Sequence, residues 1–81
     1  MVKEHKVLIW RTVQCPWCHK TEEFLNAHKI KFKSIYVDKD VKAAQEMIRK
    51  SGQMGVPVTE IDGKIVVGYD PETFKKLLNL K

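Results

Sequence analysis

The apolar run Val7-Leu8-Ile9-Trp10 is short, partly β-branched and bounded by charge, and predicts a buried strand over Lys6 to Thr12. From Trp17 the period changes. Trp17, Thr21, Phe24, Leu25 and His28 recur at helical spacing and predict the inward face of a first helix. Pro16 suits its first turn, where the missing N–H costs nothing. Glu22 and Glu23 lie early and Lys29 late, as the helix dipole prefers. Phe32, Ile35, Tyr36 and Val37 predict a second strand over Lys31 to Val37. Asp38 or Asp40 then caps a second helix from Val41 to Lys50, with Val41, Ala44, Met47 and Ile48 inward and Ser51-Gly52 ending it. Pro57 to Ile61 and Lys64 to Val67 flank Asp62-Gly63, a strong hairpin signal. Gly68 breaks the second of these strands. Tyr69 or Asp70 precedes Pro71, and Phe74, Leu77 and Leu78 form the inner stripe of a last helix.

The predicted order is β-α-β-α-β-β-α. Two parallel strands joined by a crossover helix, followed by an antiparallel hairpin, build one mixed four-stranded sheet. Helices must cover both of its faces, because a single sheet cannot hide its apolar side alone. With 81 residues, one domain spanning 1–81 is expected.

Composition changes little in this picture. The chain is 43% hydrophobic and 31% charged, ordinary for a soluble globular protein and too apolar for a disordered one. No apolar run is long enough to span a bilayer, so no membrane partner is expected. The segment MVKEHKVLIWRT has no small-residue cleavage site and reads as a strand, not a signal peptide, so the expected location is the cytoplasm. The formal charge of +5 is scattered, with Lys29-Ile30-Lys31-Phe32-Lys33 the densest basic run. It reads as a solvated basic surface. No aromatic-rich RNA-binding motif or helix-turn-helix pattern accompanies it, and no nucleic-acid partner is expected.

The candidate chemistry lies in WRTVQCPWCH, Trp10 to His19, which holds both cysteines. Cys15-Pro16-Trp17-Cys18 has the spacing of a redox dithiol. With His19 it also has the spacing of a c-type haem attachment site, and a CxxC is half of a zinc site. The haem reading needs a further axial ligand, Met47 or Met54, and usually export. The zinc reading needs two more ligands from His5, His19, His28 and the carboxylates, which show no second paired spacing. The redox reading uses the spacing, the proline and the location. At a strand exit and helix start, Cys15 sits beside unpaired N–H groups and the positive end of the helix dipole, both of which favour thiolate. Cys18, about one turn on, is placed to attack a mixed disulfide at Cys15. In a reducing compartment such a pair is more often catalytic than a static staple. His19 reads first as a polar surface residue of the opening turn, and second as an electrostatic aid to the thiolate when protonated.

With CPWC in place, SGQMGVPVTEIDGKIVVGYD, Ser51 to Asp70, resembles the second half of a glutaredoxin. CPxC, VP and GYD at these separations carry the resemblance, which extends from Lys6 to Leu80. It is nearest the short bacterial and archaeal members, including the reductant proteins of ribonucleotide reductase. The resemblance implies a thioredoxin-like fold. It implies a dithiol disulfide oxidoreductase in which Cys15 is the nucleophile and Cys18 the resolving thiol. It also implies a cis Val56-Pro57 bond, with the Val56 backbone pairing with the substrate's. Arg11, Thr12, Pro16, Trp17, Val56, Pro57, Gly68, Tyr69 and Asp70 then form the substrate or glutathione surface, Asp70 facing the glutathione amino group. No resident cofactor or metal site is implied, only glutathione as co-substrate. The implied partners are disulfide-bearing proteins, ribonucleotide reductase among them, and the implied state is a monomer.

Three positions depart from the family pattern. Thr12 stands where many members carry Lys or Arg, three residues before the first cysteine. The basic residue is Arg11, and a one-residue shift along a strand turns its side chain to the other face. Gly55 replaces a common threonine, and Val67-Gly68 replaces Gly-Gly. These departures put glutathione binding in question, and two alternatives stand beside a glutathione-coupled oxidoreductase. One is recycling by a flavin-dependent thioredoxin reductase. The other is a different class, an iron–sulfur or metal carrier.

Overall fold

A computed structural model of the chain describes residues 5–80, so the ends of the expected 1–81 domain lie outside the described residues. The elements are β1 (Val7–Arg11), α1 (Pro16–Ala27), β2 (Lys33–Tyr36), α2 (Val41–Ser51), β3 (Val58–Ile61), β4 (Lys64–Val67) and α3 (Pro71–Leu78). They form one four-stranded sheet in the order β2-β1-β3-β4. β1 runs parallel to β2 and antiparallel to β3, and β3 and β4 form the antiparallel hairpin. Asp62 and Gly63 both have positive φ, 51° and 89°, as a two-residue turn matched to strand twist requires.

Strand alternation sorts the core into two layers. Val7, Ile9, Ile61 and Val66 pack with Leu25 of α1 and Phe74 and Leu78 of α3. On the opposite face Trp10 and Val58 pack with Met47 of α2. Helices therefore cover both faces, as expected.

The inward stripes differ from expectation in detail. Val41 is 73% exposed and Ile48 is also exposed. At about 100° per residue, both lie well off the direction of Met47, the buried residue of α2. The α2 stripe instead runs through Ala43, Met47 and Lys50. Lys50, though exposed, lays its ammonium 5.5 Å from the centre of the Trp10 ring and donates to Glu60 at 2.8 Å. In α1 the inner face is Cys18, Thr21 and Leu25, which leaves Trp17 57% exposed at the rim. β2 is shorter than expected. Phe32 packs into the core before the strand begins. Val37 follows it, its amide bonding Arg11 O at 2.8 Å.

These pairings set out one end of the sheet. Val58 stands opposite both Trp10 and Val67. Pro57, the exit of β1 and Gly68 are therefore level with one another, at the edge from which α1 and α3 start.

Candidate active site

Cys15 is the N-cap of α1, in extended backbone conformation, with Pro16 in the first turn. Its Sγ accepts the Cys18 amide at 3.2 Å, the place a capping oxygen usually takes. Cys15 and Cys18 are joined as a disulfide, with Cα atoms 5.2 Å apart. Cys15 is 7% exposed and Cys18 0%, so of the two only Cys15 keeps contact with solvent. α1 has no acid in its first turn. Glu22 and Glu23 lie deeper than the expected early position, and Lys29 lies past the end of the helix. The positive end of the dipole is thus left to sulfur.

The Val56-Pro57 bond is cis, with Pro57 buried and Val56 half-buried. The Gly68 amide donates to Pro57 O at 2.8 Å, tying the β4–α3 loop to the proline. Gly68 has φ of 79°, a conformation that L side chains rarely adopt. The loop then brings Tyr69 onto Trp17, the rings stacked with centroids 6.0 Å apart. Pro16, Trp17, Pro57, Gly68 and Tyr69 are thereby gathered at one end of the sheet with the two cysteines.

The polar candidates are placed differently. Asp70 is the N-cap of α3 and accepts both the Thr73 hydroxyl, at 2.7 Å, and its amide, at 3.2 Å. Thr12 is half-buried and donates to Gln14 O at 3.3 Å. Arg11 is turned into the protein, on the α1 face of the sheet, where its guanidinium is held by Glu22 and by loop carbonyls. His19 is exposed. Its Nε2 lies 3.3 Å from Arg11 Nη2 and is the acceptor there, since a guanidinium only donates.

Sequence reasoning missed Glu22, Ser34, Tyr36 and Asp38 as neighbours of this loop. The one-residue shift from Thr12 to Arg11 did indicate that the Arg11 side chain turns to the other face of the strand, and its burial removes it from the expected glutathione surface. Its partners come from α1 and β2, and no local pattern names them.

The hydroxyl and amide of Thr73 hold the Asp70 carboxyl below its ordinary value. A depressed carboxyl contributes stability that is full above its unfolded pKa and is lost as pH falls through the folded one. Asp70→Asn keeps a good capping side chain and removes the charge. Wild type should therefore be more stable than Asp70→Asn at neutral pH, with the gap closing as the solution is acidified below the ordinary carboxylate range. Melting temperatures of both proteins across acidic pH check this, and a constant gap contradicts it.

Among the described residues, no group of three or more His, Cys, Asp or Glu side chains is placed to hold a metal ion. No helix there is long and apolar enough to cross a membrane.

A family model described as Glutaredoxin matches residues 7–66, a span that contains both cysteines and Pro57. The chain is 43% identical over 72 residues to an uncharacterized glutaredoxin-like 8.6 kDa protein in the rubredoxin operon of Clostridium pasteurianum, covering 89% of this chain and 96% of that one. It is 31% identical over 64 residues to glutaredoxin 3 of Escherichia coli (strain K12), covering 79% and 77%. Its fold superimposes on the crystal structure of a glutaredoxin from Archaeoglobus fulgidus with a TM-score of 0.83 at 33% identity, covering 90% of this chain and 85% of that one. With a family model matched over most of its length, relatives above 30% identity covered over most of theirs, and a shared fold, the chain belongs to the glutaredoxin family.

Proposed function

We propose that this glutaredoxin reduces disulfides of proteins and small molecules through a Cys15/Cys18 dithiol. The observation that carries the reading is the asymmetry of the pair. Cys15 Sγ sits at a helix N-terminus on a backbone amide, while Cys18 is wholly buried behind it. The Cys15 thiolate attacks one sulfur of the partner's disulfide, and the partner's other sulfur leaves as a thiolate. Cys18 gives up its proton to solvent and attacks Cys15. The partner's second thiolate then departs, and a Cys15–Cys18 disulfide remains. Two electrons and two protons have passed to the partner.

Two molecules of glutathione restore the dithiol and leave as glutathione disulfide. The family supports this electron source. A second reading, recycling by a flavin-dependent thioredoxin reductase, is favoured by one observation. The guanidinium of Arg11 is engaged inside the protein and does not offer a cation to a glutathione carboxylate. The protein's partners would be disulfide-bearing proteins such as ribonucleotide reductase, met by a monomer in the cytoplasm. The resemblance to short reductant proteins supports this choice.

NADPH consumption with a disulfide substrate, measured with glutathione plus glutathione reductase and separately with thioredoxin reductase, tests the reading. Turnover is expected in the glutathione arm. Turnover with thioredoxin reductase alone would establish the second reading. Turnover with neither would contradict dithiol exchange.

A further inference from the structure

The loop that delivers Cys15 is gripped by a buried arginine. Arg11 is 2% exposed. Its Nε donates to Thr12 O at 3.0 Å and its Nη2 to Val13 O at 3.3 Å. Its Nη1 pairs with Glu22 Oε1 of α1 at 2.5 Å, and its guanidinium lies 5.2 Å from the centre of the Tyr36 ring. Glu22 is itself fixed by Ser34 of β2, whose hydroxyl donates to Oε2 at 2.5 Å. The Val13 amide, on the outer side of the loop, donates to Asp38 Oδ2 at 3.2 Å.

We propose that Arg11 is a positioning residue for the Cys15 sulfur, holding the Thr12 and Val13 carbonyls on its guanidinium so that Sγ meets the Cys18 amide and no carbonyl oxygen. The proposal rests on the dithiol reading of the site. Its physics is directional. Glu22 neutralises the guanidinium, so little net charge is left to act on the sulfur from a distance. The arginine acts through the loop. Carbonyl oxygens are the negative ends of their dipoles, and one turned toward Sγ would oppose the thiolate as much as the Cys18 amide favours it. The role also needs arginine. A planar fork of five donors reaches a carboxylate and two carbonyls at once, whereas an ammonium donates from a single point.

The test follows alkylation of Cys15 by iodoacetamide, by mass, across pH, in reduced wild type, Arg11→Lys, Glu22→Gln and the double variant Arg11→Met/Glu22→Gln, with melting temperatures alongside. The double variant leaves no buried charge unpaired and so protects folding. It should alkylate about ten-fold more slowly near neutral pH, its profile moved to higher pH by about one unit. Arg11→Lys should fall between it and wild type, and Glu22→Gln should follow wild type. Profiles of the double variant or of Arg11→Lys that overlay wild type, with only the melting temperature lowered, would overturn the proposal by leaving Arg11 a packing role. A Glu22→Gln profile moved away from wild type would overturn it: to lower pH, because the unneutralised guanidinium would then be acting through its charge, and to higher pH, because Glu22 rather than the arginine fork would be setting the loop. Alkylation needs no turnover, so these outcomes are independent of whether wild type reduces disulfides.

Discussion

Cys15→Ser should reduce disulfide-reductase activity to the uncatalysed background. A serine hydroxyl at that position is no nucleophile toward a disulfide, because the thiolate carries the exchange. Cys18 cannot take over. It is 0% exposed on the inner face of α1, and a partner's disulfide does not reach it. Cys18→Ser should behave differently. Attack at Cys15 still occurs, but release from a protein partner loses its internal thiol, so mixed disulfides should accumulate. Insulin reduction by the two variants, with non-reducing gels for trapped adducts, separates the roles. Full activity in Cys15→Ser would reverse the assignment of nucleophile and resolving thiol.

Phe74→Ala should be among the most damaging changes outside the cysteines. Phe74 is fully buried in the core beneath α3, 5.6 Å from Phe24 and 6.3 Å from Tyr69 between ring centroids. Truncating such a ring costs about 3–5 kcal/mol, from lost transfer energy and the cavity left behind. In a domain of this size that lowers the melting temperature by more than about 12 °C. The effect should reach the site as well. Phe74 seats Tyr69, and Tyr69 stacks on Trp17 one residue from Cys18. Thermal melts should show the loss of stability, and a KM for a disulfide substrate that rises while Cys15 alkylation is unchanged should show the loosened loop. A melting temperature within about 4 °C of wild type would mean that α3 is held by something other than this ring.

Much of this arrangement was legible in the residues, because each element carries a local cause. Asp62-Gly63 permits two positive φ angles in succession, which locates the hairpin. Asp40 and Asp70 each accept hydrogen bonds at the start of a helix, which locates α2 and α3. The cysteine spacing and Pro16 locate the chemistry at the start of α1. What was not legible depends on how elements lie against one another. Trp17 shares the period of the α1 core yet faces outward, because Cys18, Thr21 and Leu25 take the sheet. Val41 and Ile48 lost the inward face of α2 to Ala43 and Met47, which pack on Trp10 and Val58. The ties of Arg11 to Glu22, and of Glu22 to Ser34, join residues from three elements, and their geometry appears only when the helix settles on the sheet. Asp70, expected to meet glutathione, has both carboxylate oxygens on Thr73, which gives it a part in folding whatever it binds.

Dithiol exchange, as proposed, converts one partner disulfide into one Cys15–Cys18 disulfide. Mixing the reduced protein with a stoichiometric amount of a disulfide-bonded peptide, quenching with acid and measuring both by intact mass and peptide mapping tests it directly. The expected products are a protein lighter by two hydrogens, with Cys15 linked to Cys18, and an equal amount of reduced peptide. An intact peptide disulfide beside a fully reduced protein, or a lasting adduct on Cys15 with Cys18 free, would contradict it.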